Sequence, residues 1–318
     1  MQLDLKPNEL IKYNGSSFCP DDIDSFWDRL LEKMKSIEPN TQLKPTKWHF
    51  ENSEGFDLYF TGMHGARLHA NYLRPKNCKK SKVVFIFHGY SGKASDFFNL
   101  MSWANQGYCV ASLDCRGQAG NSEDVGGHKW NTLHGHIIRG IDGKSPEELL
   151  FTDVFLDVAQ LVEIVKNFDE VDENNMFAFG GSQGGALTYV CASLCKDIKG
   201  ACALYPFLSD YKRVWEMDMA ERAYSEIKEY FRNFDPRHER EDEIFEKLSY
   251  IDISNLSHRI KGKMLMLTGL MDDICPPSTQ FAAYNKITSE KKYILYPDFG
   301  HEGLPDCELL AMDWFKNA

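Results

Sequence analysis

The chain lacks any uninterrupted apolar run of the ~18 residues that a membrane-spanning helix needs, so no such span is expected. Its first residues, Met1-Gln2-Leu3-Asp4-Leu5-Lys6, contain no basic stretch leading into an apolar one, and no export leader is expected. Positive charge is in deficit. The 36 Lys and Arg face 47 Asp and Glu, for a net charge of -11. Phosphate backbones are bound by basic patches, so nucleic acid is not an expected partner. A disulfide framework is missing too. The nine cysteines are odd in number and scattered, and Cys109, Cys191 and Cys202 sit inside apolar runs. Without a leader, reduced thiols in a cytoplasm are expected. Cys191 and Cys195 lie four apart on a helical stretch, but no second pair completes a metal site, and they read as small buried hydrophobes. Repeats and low-complexity tracts are also lacking.

What remains is an ordinary globular mixture: 318 residues, 43% hydrophobic and 26% charged. That length buries a full core without disulfides or metals. A helix is expected over Asp21–Ile37, where Phe26, Trp27, Leu30, Leu31 and Met34 share one side. Strands are expected at Lys47–Glu51, Phe56–Thr61 and Leu68–Arg74, forming an antiparallel edge. From Val83 the rhythm changes. Apolar strands at Val83–Phe87, Tyr108–Leu113, Met176–Gly180, Gly200–Tyr205, Met264–Thr268 and Lys292–Tyr296 alternate with helices. The helices are expected at Asp96–Asn105, Glu147–Asn167, Gln183–Cys195 and Asp306–Lys316. Continuous apolar strands alternating with amphipathic helices imply a mostly parallel sheet covered on both faces. Ser209–Ser257 breaks the alternation. It is charged, aromatic and helical in pattern, and reads as an insertion over the carboxyl edge of the sheet. One domain over residues 1–318 is expected.

The strongest chemical signal is Gly180-Gly181-Ser182-Gln183-Gly184-Gly185. An incoming strand and an outgoing helix place Ser182 on a sharp turn with its hydroxyl exposed, as in an α/β-hydrolase. The helix N-terminus offers backbone N–H groups to a developing oxyanion. A serine hydroxyl needs a base, and in this fold the acid and then the histidine follow it. His238 sits in a charged run and His258 ends a polar helix, whereas His301 follows the last strand, where the base belongs. Asp272 and Asp273 both follow the penultimate strand. Asp272 is nearer its end and is preferred; Asp273 reads as a cap for the helix starting near Pro276-Pro277, and Asp298 lies too close to His301 in sequence. The second oxyanion donor is expected in His88-Gly89-Tyr90-Ser91-Gly92, at the Tyr90 N–H, alongside that of Gln183, with His88 supporting the loop. Arg116 reads as structural rather than as a substrate contact. His134 and His136, lacking a nearby carboxylate or cysteine cluster, are not read as metal ligands. No cofactor and no metal are expected.

Together Arg116-Gly117-Gln118, Gly180-Gly181-Ser182-Gln183-Gly184-Gly185 and Gly300-His301-Glu302 resemble carbohydrate esterase family 7, the acetyl xylan esterases and cephalosporin-C deacetylases. Asp169–Glu173, Leu248-Ser249-Tyr250, Gly269–Asp272 and the stretch from Pro276 to Asn285 agree, and the resemblance runs from Phe26-Trp27 to the final helix. It implies a nucleophile, acid and base at Ser182, Asp272 and His301, oxyanion donors at Tyr90 and Gln183, and a small acyl pocket at Tyr90, Phe207 and Ile274. It implies deacetylation of small acetylated sugars, xylo-oligosaccharides and cephalosporin C by a cytoplasmic homohexamer, a dimer of trimers whose sites face an internal cavity. Two positions depart from the pattern. Ala223 precedes Tyr224 where the family often has proline, and Asp273 adds a charge beside the acid. Esterases for other acyl groups, an O-acetylated sialic acid or a feruloyl ester, a peptidase, and a non-catalytic binding protein of the same fold are the competing readings.

Overall fold

The computed structural model describes residues 3–125, 132–220 and 222–318. Met1 and Gln2, at the head of the segment read for a leader, lie outside them. Nine strands are present among these residues: β1 (Gln42–Pro45), β2 (Ser53–Thr61), β3 (Arg67–Pro75), β4 (Ser81–Phe87), β5 (Cys109–Leu113), β6 (Val171–Gly181), β7 (Ile198–Leu204), β8 (Lys263–Gly269) and β9 (Lys291–Tyr296). They form one sheet in the order β1-β2-β3-β5-β4-β6-β7-β8-β9. The pairs β1–β2, β2–β3 and β3–β5 are antiparallel, and all pairs from β5 to β9 are parallel. This is the α/β-hydrolase architecture with an antiparallel edge.

Burial explains the division. In β4 alternate side chains enter opposite cores: Val83, Phe85 and Phe87 on one face, Val84 and Ile86 on the other. A strand wet on neither face must be apolar throughout. Helices Leu150–Val165 and Gln183–Leu194 cover the first face; Phe97–Ala104 and Cys307–Lys316 cover the second. Leu150–Val165 is itself covered by Ile23–Lys35, with Trp27 stacked on Phe155 at 5.6 Å. This explains why that helix is apolar nearly all round.

One expected strand is misplaced. Lys47–Glu51 is irregular, and the first strand is Gln42–Pro45, a fully exposed edge. Aromatic residues drew the reading there, yet Trp48 is solvent-exposed and Phe50 packs on the Phe97 ring at 5.6 Å. Pro45 sits at the end of that edge strand, where its missing N–H costs no ladder bond. Ser209–Ser257 is helical, with Tyr211–Glu216, Ser225–Phe234, Glu241–Ser249 and Ile253–Leu256, and leaves the sheet at the carboxyl end of β7. All nine cysteines are unpaired.

The close approach of β6, its helix and β4 depends on glycine. A Cβ at Gly184 would overlap the Phe87 carbonyl, and one at Gly185 would come within 2.6 Å of the Leu204 carbonyl oxygen. Both obstacles are backbone. Gly184→Ala is therefore expected to cost about 1–3 kcal/mol, the usual range for overpacking. A denaturant midpoint equal to that of the parent chain would show that the end of β4 has room to withdraw.

Candidate active site

β6 runs into the helix Gln183–Leu194 through a single residue, Ser182, at φ 58° and ψ -122°. That conformation is strained for a side chain bearing a Cβ. Three backbone hydrogen bonds hold it: Ser182 N–H donates to Leu204 O at 3.0 Å, while Phe207 N–H and Ala186 N–H donate to Ser182 O at 3.1 and 3.0 Å. The turn thus leans on β7 and its following loop as well as on its own helix.

Ser182 Oγ lies 2.9 Å from His301 Nε2, and His301 Nδ1 lies 2.9 and 3.1 Å from the two Asp272 oxygens. Asp272 is fully buried. Its Oδ1 also accepts the Ile274 and Cys275 N–H groups at 3.0 and 2.8 Å. A carboxylate held by its own following turn cannot swing away from the imidazole. With Nδ1–H donating to Asp272, Nε2 is left as the acceptor for the serine proton. Tyr205, at φ 32° just before Pro206, lays its ring 4.6 Å from the His301 ring. Burial pushes its hydroxyl up to about 12, so it stays a neutral phenol.

The competing candidates lie apart from this constellation. Asp298 is exposed, and Asp273 is exposed and faces Arg222 at 3.7 Å. Asp273 does not cap the helix Pro277–Asn285, whose N-cap is Pro276 with proline in the first turn; the carboxylate that binds nearby backbone is Asp272. His238 contacts Glu241 at 3.3 Å, and His258 contacts Asp24 at 3.1 Å. His134 reaches Glu229 at 2.9 Å, while His136 donates from Nε2 to Thr132 O at 2.9 Å. Burial lowers the His136 pKa to about 4, so that ring is neutral.

Two loops flank the serine. Among the described residues neither the Tyr90 N–H nor the Gln183 N–H has a hydrogen-bond partner. The loop after β4 is braced by His88, whose Nδ1–H donates to Gly89 O at 2.8 Å and whose Nε2 accepts the Cys115 N–H at 3.1 Å. Both contacts require neutral imidazole, and burial lowers the His88 pKa accordingly. The Gln183 side chain is buried and paired amide to amide with Gln118, at 2.7 and 3.1 Å. Gly117 supplies the left-handed turn between Gln118 and Arg116, at φ 71°. Arg116 is fully buried and fork-bonded to Asp157 at 2.5 and 2.6 Å, with Asp153 at 3.0 Å. Burial opposes its charge, but Asp157 and Asp153 outweigh that and raise its pKa. Arg116 is thus a buried anchor, and Gln118 is the element's link to the serine turn. Phe207 packs its ring edge-to-face between Tyr90 at 5.6 Å and Tyr224 at 4.4 Å; Ile274 is half-buried two residues from Asp272.

Sequence reasoning missed Glu226. It is fully buried on the insertion helix Ser225–Phe234 and accepts the Tyr90 hydroxyl. Its spacing carries no motif, because its partners lie 89 to 136 positions away. The available signal was a glutamate in the first turn of an apolar-faced helix, which ordinarily reads as a dipole partner.

The acetyl xylan esterase (AXE1) family model matches residues 1–317. The chain belongs to the acetyl xylan esterase family. It is a carboxylic-ester hydrolase whose chemistry is acetyl ester hydrolysis. Its structure is similar to that of acetyl xylan esterase 1 from Thermoanaerobacterium sp. JW/SL YS485, at 48% identity and a TM-score of 0.95, covering 99% of each chain. It is similar to the acetyl xylan esterase from Paenibacillus sp. R4, at 32% identity and a TM-score of 0.92, over 98% of this chain and 99% of the other. It is 24% identical over 305 residues to acetyl esterase Axe7A of Xylanibacter ruminicola, which covers 93% of this chain and 67% of that protein.

Removing one partner of a buried ion pair strands the other, at a cost of about 3–5 kcal/mol. Arg116→Leu is expected to lose stability on that scale in denaturant unfolding. Arg116→Lys is expected to recover only part of it, because an ammonium cannot make the two-pronged bond to Asp157. Full recovery by lysine would reduce the role of Arg116 to charge alone.

Proposed function

We propose that the esterase removes acetyl groups from small acetylated carbohydrates, with xylo-oligosaccharides and cephalosporin C among its substrates, through an acetyl-enzyme on Ser182. The continuous hydrogen-bonded line from Ser182 Oγ through His301 to buried Asp272 carries this reading. His301 Nε2 takes the hydroxyl proton as Ser182 Oγ attacks the acetyl carbonyl carbon. Asp272 stabilises the resulting imidazolium. The carbonyl oxygen becomes an oxyanion, held by the Tyr90 and Gln183 N–H groups, which have no hydrogen-bond partner among the described residues. His301 returns the proton to the departing sugar oxygen, leaving acetyl-Ser182. Water then attacks with His301 as base, and acetate leaves as the Ser182 hydroxyl re-forms. The acyl pocket is assigned to Tyr90, Phe207 and Ile274: half-buried Tyr90 and Ile274 would face the acetyl group, while fully buried Phe207 backs the Tyr90 ring edge-on.

We extend the proposal to a cytoplasmic homohexamer, a dimer of trimers whose enclosed sites admit oligosaccharides better than polymeric xylan. The unpaired thiols suit a reducing compartment. Family resemblance supports the assembly; Ala223, beside Tyr224, marks the place where it is tested most sharply.

Ser182→Ala is expected to abolish turnover of p-nitrophenyl acetate and cephalosporin C. A rate near that of the parent would sink the assignment. In a series of p-nitrophenyl esters, kcat/KM should be highest for acetate and fall by butyrate. A preference for butyrate or longer chains would contradict the small pocket.

A further inference from the structure

Tyr90 is anchored at both ends. Its ring packs against Phe207, and its hydroxyl donates to Glu226 Oε1. Glu226 holds more than that hydroxyl. Oε1 also accepts the Gly135 N–H at 2.9 Å, and Oε2 accepts the Ile137 N–H at 2.6 Å. The intervening His136 N–H donates to the Tyr90 hydroxyl oxygen at 3.2 Å. Three successive backbone N–H groups therefore converge on one carboxylate and the phenol it binds. Gly135 makes the approach possible at φ 90°. Successive N–H groups of this kind form an anion-binding concavity. His134 Nδ1 stands 3.7 Å from Oε1, at the solvent side of the cluster.

A fully buried carboxylate is costly unless its lone pairs are filled. Here they are filled by groups from two separate places, the loop after β4 and the segment Gly135–Ile137, and the carboxylate ties both to the insertion helix that carries it. A glutamine could not substitute. Its amide nitrogen would meet the Ile137 N–H or the Gly135 N–H head-on, donor against donor.

We propose that Glu226 is a positioning residue for the oxyanion hole. It fixes Tyr90, and through Tyr90 the backbone of the loop after β4, so that the Tyr90 N–H meets the oxyanion as it forms. The insertion thereby takes part in the chemistry without touching substrate. This inference rests on the reading of Tyr90 N–H as an oxyanion donor to an acetyl-enzyme intermediate on Ser182.

The test compares Glu226→Gln and Tyr90→Phe with the parent enzyme and with Ser182→Ala. Rates are normalised to the fraction of Ser182 that a fluorophosphonate probe titrates, so that misfolded protein does not count. With p-nitrophenyl acetate, Glu226→Gln is expected to lower kcat roughly ten- to a hundredfold, part of the loss from deleting an oxyanion donor outright. KM is expected to stay within about twofold, because the contact matters in the transition state. The inhibition constant of a methylboronic acid, which forms a tetrahedral adduct on the serine, is expected to rise by the same factor as kcat/KM falls. Tyr90→Phe, which keeps the backbone N–H and removes only the hydroxyl, is expected to lose activity in the same direction. The double variant should be no worse than the poorer single one, because both break one link. An unchanged kcat and boronate affinity per titrated site in Glu226→Gln would overturn the proposal. If Glu226→Gln yields no titratable protein, Tyr90→Phe decides, and parental kcat there overturns it. If Ser182→Ala stays active, the reading of the reaction fails instead, a result that does not depend on Glu226.

Discussion

Ser182 is held in a backbone conformation that costs about 1–3 kcal/mol, and the structure around it holds the turn in that conformation. Its N–H is bonded to β7, and its carbonyl is shared between the loop beyond β7 and the helix that follows the serine. Each such bond is worth about 1 kcal/mol, so the three together offset the strain. The geometry also dictates what surrounds the turn. Glycines 180, 184 and 185 are required because β4, β7 and the helix approach within Cβ distance. Those contacts bring the ends of three parallel strands to one place, and the loops after them become the walls of the site.

Polar groups buried beneath this turn do the remaining orientation. Gln118 fixes Gln183, His88 fixes the loop of Tyr90, and the Ile274 and Cys275 N–H groups fix Asp272. None of these acts on solvent-exposed charge, where an ion pair would contribute little. Each is paired and buried, where loss of one partner leaves the other unsatisfied. Arg116 supplies the base of this layer by locking the strand end after β5 to the helix Leu150–Val165. Glu226 adds a tie from the insertion, so the helical segment and the sheet meet at Tyr90.

The parallel sheet was legible because its central strands are buried on both faces over most of their length and are therefore mostly apolar; among the parallel strands only β9, at the edge, is without a buried residue. The first strand was not. β1 is exposed along its length, so burial left no pattern in Gln42–Pro45, while the aromatic Trp48 and Phe50 nearby suggested one. The serine turn could be read from spacing, since glycine positions record backbone approach directly. Asp272 could be ranked above Asp273 by its distance from the strand end alone. Glu226 and the amide pair of Gln118 with Gln183 could not be found that way. Their partners are backbone groups or a neutral side chain far along the chain, and neither leaves a local signature. Tyr205 belongs with them: its positive φ and its ring on His301 follow from the exit of β7, not from any residue pattern.

The arrangement predicts a covalent intermediate on one named oxygen, and that is what distinguishes it from a binding-only reading of the same fold. Rapid quenching in acid during turnover of an acetyl ester, followed by proteolysis and peptide mass measurement, tests it directly. The account predicts a transient gain equal to one acetyl group on the peptide containing Ser182, absent in Ser182→Ala. Hydrolysis at full rate with no acetylated Ser182 peptide at any quench time, or acetylation mapped to another residue, would contradict it.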